Sequence, residues 1–91
     1  MFALRGATPN PLRAGTRIAF DLPVDAEMSL EVFDVTGRMV RTLAREALPA
    51  GAHEIAWDGR DNSGHSVAAG VYLYRLRAGQ FEATRRVVVI R

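Results

Sequence analysis

Cysteine and lysine are both missing from these 91 residues. Without cysteine the chain has no disulfide framework, no thiol nucleophile and no cysteine-ligated zinc. Without lysine all 12 basic side chains are arginine, and the pI near 9.9 reflects a net charge of only +2. So small an excess is no electrostatic footprint for nucleic acid, and none is expected as a partner. Histidine is scarce too. His53 and His65 fall short of the three or four ligands that zinc takes, and neither Ser29, Ser63 nor Ser66 sits in a G-x-S-x-G elbow. No catalysis and no cofactor are expected. There is also no apolar run of the roughly 18 residues that crossing a bilayer takes, the longest β-type run being Val87–Ile90. Met1–Gly6 lacks the basic stretch and apolar block of a secretory signal peptide.

What is present is ordinary for a globular domain: 48% hydrophobic and 24% charged residues. The length fits one domain, residues 1–91. At that mass a folded chain exposes about 5,200 Å². Positive charge gathers at the end, where Arg75, Arg77, Arg85, Arg86 and Arg91 face Glu82 alone. A solvated strand face accounts for this as well as a partner does.

Alternation with a period of two dominates the chain and predicts half-buried strands. Thr16–Leu22 sets Ile18, Phe20 and Leu22 against Arg17, Ala19 and Asp21, and Pro23 stops it. Glu27–Phe33 repeats the pattern, with Met28, Leu30 and Val32 opposite Ser29 and Glu31. Asp34-Val35-Thr36-Gly37 then supplies hairpin chemistry, a carboxylate that binds the following backbone and a glycine free to take positive φ. The return strand runs through Met39, Val40 and Leu43. Arg41–Leu48 also fits a short helix, since Leu43, Ala44, Ala47 and Leu48 recur at three to four residues.

Ala52–Trp57 reads as a strand with His53, Ile55 and Trp57 on one side, which makes His53 a packing residue and Trp57 the anchor between two sheets. Asp58–Ser66 is a polar loop, and His65 in it is expected to be solvated. Its Asp58, Asp61 and Asn62 invite a calcium reading, but the spacing misses the alternate-position ligands of an EF-hand loop, and turn stabilisation is the simpler role. Val71–Ala78 and Phe81–Ile90 form the last pair across Ala78-Gly79-Gln80, with Tyr72, Tyr74 and Leu76 on one face. Trp57, Tyr72 and Tyr74 suit a sugar-stacking platform if exposed and a core if not. Phe2–Leu4 is a plausible edge strand. The fold class is all-β, a two-layer antiparallel β-sandwich of about seven strands.

The order of these pieces carries a resemblance. Asn10-Pro11, the run Thr16 to Pro23, Val32-Phe33-Asp34-Val35-Thr36-Gly37-Arg38, Ala50-Gly51, Trp57-Asp58-Gly59-Arg60-Asp61 and Gly70-Val71-Tyr72 with Tyr74-Arg75-Leu76 together resemble the FlgD-like immunoglobulin domain. The same pattern is similar to the C-terminal sorting domain of the type IX secretion system, from about Leu4 to Arg91. Arginine stands where the sorting domain's ending often has lysine.

The resemblance implies a non-enzymatic module at the C-terminus of a larger exported protein, secreted or held at the cell surface. Its partners would be secretion machinery or a cell-surface protein. Gly70, Val71 and Tyr72 would shape the penultimate strand, and Arg86, Val88, Ile90 and Arg91 would present the end. Trp57, Asp58, Gly59, Asp34 and Gly37 would be structural. The alternative is a scaffold or self-assembling subunit that pairs through sheet edges, Phe81–Ile90 or Phe2–Leu4. A carbohydrate-binding module comes third.

Since neither the histidines nor the Asp58 loop supplies a full ligand set, chelation is expected to leave thermal unfolding unchanged. A fall in Tm beyond about 5 °C, equivalent to roughly 1 kcal/mol at this size, in a calorimetric scan with EDTA would contradict that.

Overall fold

Seven strands and no helix make up the computed structural model, which describes residues 1–91. They are β1 (Ala3–Leu4), β2 (Thr16–Leu22), β3 (Ala26–Asp34), β4 (Met39–Leu48), β5 (Gly51–Trp57), β6 (Gly70–Ala78) and β7 (Phe81–Val89). Every pairing is antiparallel. One sheet has the order β1-β2-β5 and the other β4-β3-β6-β7, the expected immunoglobulin-like sandwich. The exposed surface of 5280 Å² is close to the value expected from mass.

The alternating pattern decides which side chains meet. Ile18 and Phe20 of β2, Leu30 and Val32 of β3, Tyr74 and Leu76 of β6 and Val87 of β7 are fully enclosed between the sheets. Trp57 is 1% exposed at the end of β5, meets the Tyr72 ring edge-on at 5.8 Å, and donates its indole N–H to the Arg60 carbonyl at 3.0 Å. An indole buried with its one donor satisfied adds its large apolar area without a desolvation penalty. His53 does face the core side, stacked on Phe20 at 5.4 Å, but stays half-exposed, with Nε2 2.7 Å from the Pro49 carbonyl oxygen.

Residues 41–48, which the sequence leaves open between strand and helix, belong to the strand β4. Its apolar spacing looks helical for a physical reason. The register with β3 slips at Leu30/Glu31 and at Val32/Phe33, leaving Leu43 and Val40 without partners. Each slip is a β-bulge, which adds one residue and shifts the phase of the alternation. Val40, Leu43, Ala44 and Leu48 therefore all pack on the core at intervals of three, one and four.

Glu31 corrects a simpler expectation. It lies on the polar face of β3, yet is one of two buried polar residues, 4% exposed. Two guanidiniums compensate the buried carboxylate: Arg45 at 2.9 Å and Arg75 at 3.2 Å. Arg75 also lies 4.5 Å from the centre of the Phe33 ring.

Trp57→Ala removes the largest enclosed side chain and one of the two donors to the Arg60 carbonyl, leaving Arg41 at 3.1 Å, so a loss of about 3–5 kcal/mol in denaturant unfolding is expected, chiefly from the cavity. An unchanged midpoint would rule out Trp57 as the anchor of the core.

Candidate functional site

Strands β6 and β7 bring most of the sequence-selected residues to one end of the four-stranded sheet. Gly70 pairs with Val89, Val71 with Val88, Tyr72 with Val87 and Leu73 with Arg86. Strand alternation then divides them. Val71, Leu73, Arg86 and Val88 share the outer face, where Val71 is 37% exposed and Arg86 has no ion-pair partner. Tyr72 turns inward to 8% exposure, its hydroxyl donating to the Ala68 carbonyl at 2.7 Å. Burial pushes the phenols of both Tyr72 and Tyr74 above their usual pKa. With Trp57, Tyr72 and Tyr74 all in the core, there is no aromatic platform for sugar stacking.

The outer edge of β7 is occupied along its last third. Asn10 lies beside it like a short strand: its Oδ1 accepts from the Val88 N–H at 3.0 Å, and its Nδ2 donates to the Arg86 carbonyl at 3.3 Å. Leu12 continues the pairing in parallel, its N–H donating to Val88 at 2.9 Å and its carbonyl accepting from Ile90 at 2.8 Å. The Leu12 side chain is fully buried. The edge expected to lie open over Phe81–Ile90 is thus closed from Arg86 to Ile90.

Arg91 is exposed and at the same time anchored. Its Nη1 donates to the Arg13 carbonyl at 2.8 Å, its Nη2 to Gly59 at 3.0 Å and Val67 at 3.0 Å, and its Nε to Val67 at 3.1 Å. The planar guanidinium suits this role, because its donors fan out in a fixed fork. Trp57, Asp58 and Gly59 build the receiving loop. Asp58 Oδ1 accepts from the Arg60 N–H and from Arg41, each at 3.0 Å, and Gly59 takes φ +74°. A side chain at Gly59 would meet Arg91 Nη2 at 3.3 Å, so glycine gives both the turn and the close approach.

Two further carboxylates hold turns. Asp34 Oδ1 accepts from Thr36 Oγ1 at 2.6 Å, the Thr36 N–H at 2.9 Å and the Arg38 N–H at 3.1 Å. The Thr36 hydroxyl is the main cause that holds its pKa below the usual 3.8. Gly37 takes φ +87° there, as the hairpin requires. Asp61 accepts from the N–H groups of Ser63 and His65, and the latter bond chiefly lowers its pKa. His65 itself is exposed, as expected. Asn62 was a candidate calcium ligand. Instead its Oδ1 accepts from the Thr42 N–H at 3.0 Å while its own N–H donates to Val40 at 3.0 Å, closing part of the β4 edge. No three carboxylate or imidazole side chains converge on one point.

Sequence reasoning missed the edge-closing amides of Asn10 and Asn62. Their partners lie 76 to 78 residues away for Asn10 and 20 for Asn62, and no local pattern marks them. Thr8-Pro9-Asn10-Pro11 reads as a rigid, turn-forming stretch and Asn10-Pro11 as part of the family resemblance, but neither marks an edge closure.

Comparison with known proteins agrees with this geometry. The sequence model for the FlgD Ig-like domain matches residues 7–80. Basal-body rod modification protein FlgD of Salmonella typhimurium is 33% identical over 73 residues, which cover 79% of this chain and 32% of that protein. The chain thus spans about a third of the curated relative. Among solved structures, dimeric latent PorU from Porphyromonas gingivalis has TM-score 0.78 at 22% identity, over 99% of this chain and 9% of PorU. PorZ from the same organism, a bacterial surface component of the type-IX secretion system, has TM-score 0.66 at 27% identity, over 99% of this chain and 11% of PorZ.

The Arg91 anchor yields a stability test. Arg91→Lys keeps the charge but cannot reach all three carbonyls, and a loss of about 1–2 kcal/mol is expected from missing charge-assisted hydrogen bonds. Unfolding at the same denaturant concentration as the parent chain would mean that the anchor contributes nothing.

Proposed function

Because this chain belongs to the FlgD Ig-like domain family, we propose that it is a non-enzymatic C-terminal module for secretion sorting or cell-surface attachment within a larger exported bacterial protein. The observation that carries this reading is the outward face of the last two strands. Val71, Leu73, Arg86 and Val88 stand together on a platform whose last residue, Arg91, is tied to the loop after Trp57. A receptor would meet fixed side chains on a folded surface rather than a flexible tail. PorZ supports a surface location, since its likeness covers 99% of this chain within a far longer protein.

The rival scaffold reading, with pairing through sheet edges, is weakened at two edges. Asn10 and Leu12 occupy the end of β7, and Asn62 occupies part of β4. No helix is long and apolar enough to cross a membrane. Secretion machinery or a cell-surface protein remains the proposed partner, with no cofactor.

Truncating Arg86–Arg91 is a poor test, because it would take Val87 and Val89, both almost fully buried, out of the core. Surface substitutions separate recognition from folding. A passenger fused to the intact domain is expected at the surface of a bacterium with a type IX system. Arg86→Glu together with Val88→Thr should cut surface passenger about tenfold or more while the purified domain keeps its unfolding midpoint; a tenfold loss is about 1.4 kcal/mol of recognition. Undiminished export of the folded variant would refute the reading.

A further inference from the structure

The two edge strands of the four-stranded sheet are not covered alike. On the β7 side Val87 and Val89 are enclosed, Phe2 of the segment leading into β1 stacks on Phe81 at 5.0 Å, and Leu12 fills the end. On the β4 side no residue is buried. Val40, Leu43, Ala44 and Leu48 stop at half-exposure, as does Ile55 of β5 across the layer. Three strands face four, β1 accounts for the β7 side, and the shortfall of one strand falls over β4.

The neighbouring edge is open as well. Arg17 bonds Thr8, and the Ala19 carbonyl accepts from Arg5, so these residues of β2 face away from β5. By alternation Thr16, Ile18, Phe20 and Leu22 bond Trp57, Ile55, His53 and Gly51. That leaves the N–H and C=O groups of Ala52, Glu54 and Ala56 pointing outward from β5. No strand pairs with this edge.

We propose that β5 receives an extended peptide segment of a partner protein, which adds a fourth strand to the smaller sheet and covers the half-exposed seam of Leu43, Ala44, Leu48 and Ile55. Main-chain bonds to Ala52, Glu54 and Ala56 hold it, as in strand addition generally. Its inward side chains are apolar at alternate positions to match the seam. One outward side chain, opposite Glu54, is basic: Glu54 already pairs with Arg17 of β2 at 2.9 Å on one side, and on its open side a basic residue shares that exposed carboxylate while an acidic one would meet a like charge. Small neighbours at Ala52 and Ala56 leave the approach clear.

A second copy fits less well. Two copies joined antiparallel through β5 about a two-fold axis keep both cores on the same side of the joined sheet. The four-stranded sheet of the second copy then meets β4, where a lone strand has room. The edge offers these bonds whether or not the domain directs export.

Amide hydrogen exchange on the full chain tests this, using as probe a synthetic peptide that alternates valine with threonine and one central lysine. Without peptide, Ala52, Glu54 and Ala56 should exchange as unprotected amides. With it, their exchange should slow about tenfold or more, while β7 is unaffected. A peptide of the same composition with its valines contiguous should not slow them. Glu54→Arg should weaken the lysine peptide and favour one with a central glutamate, and Ala56→Pro, which removes an outward N–H, should weaken both. Protection of these amides in the free monomer, peptide binding that leaves them unprotected, indifference to the charge exchange, or dimers paired through β5 would each overturn the proposal.

Discussion

A sheet edge in water presents a row of N–H and C=O groups that will pair with any strand able to reach them, and a small sandwich has four such edges to manage. Each is treated differently here. β1 is only two residues long, too short to be a template. β7 is closed by Asn10 and Leu12, and β4 is bent by two bulges and capped by Asn62. At Asn10 one side-chain amide supplies both donor and acceptor, as a peptide group does, while Asn62 combines its side-chain oxygen with its own backbone N–H. β5 keeps outward groups along its whole length, at Ala52, Glu54 and Ala56, beside the least covered part of the core.

The loop after Trp57 links stability to the end of the chain. Trp57 holds the Arg60 carbonyl from inside the core, Asp58 holds the Arg60 N–H, and Gly59 gives its carbonyl to Arg91. The last residue is therefore joined to the centre of the sandwich through one turn. The outward face formed by Val71, Arg86 and Val88 exists only while that turn and the strand behind it are in place.

Reliance on arginine has a structural consequence. Arg91 reaches three carbonyl groups, and Arg45 and Arg75 together neutralise the buried Glu31. A planar fork makes several bonds for one immobilised side chain, which a lysine ammonium on a flexible stem does not match. The high pI follows from this use of arginine as a structural connector as much as from any field the surface presents.

By itself the sequence determined the period-two faces of β2, β3, β5 and β6, the Asp34–Gly37 hairpin turn and the inward position of Trp57. Those depend on neighbours a few residues away, through backbone pleat and turn chemistry. Family resemblance added the immunoglobulin-like class of the sandwich. Only the tertiary structure decided that Leu43 and Ala44 sit on a bulged strand rather than a helix, that Glu31 is buried on the polar side, and that Arg91 is anchored by three carbonyl groups. It also decided which edges are closed, because Asn10 and Leu12 meet a strand almost the whole chain away. A hydrogen-bond partner brought near by folding leaves no period in the sequence, whereas a face buried by a strand does.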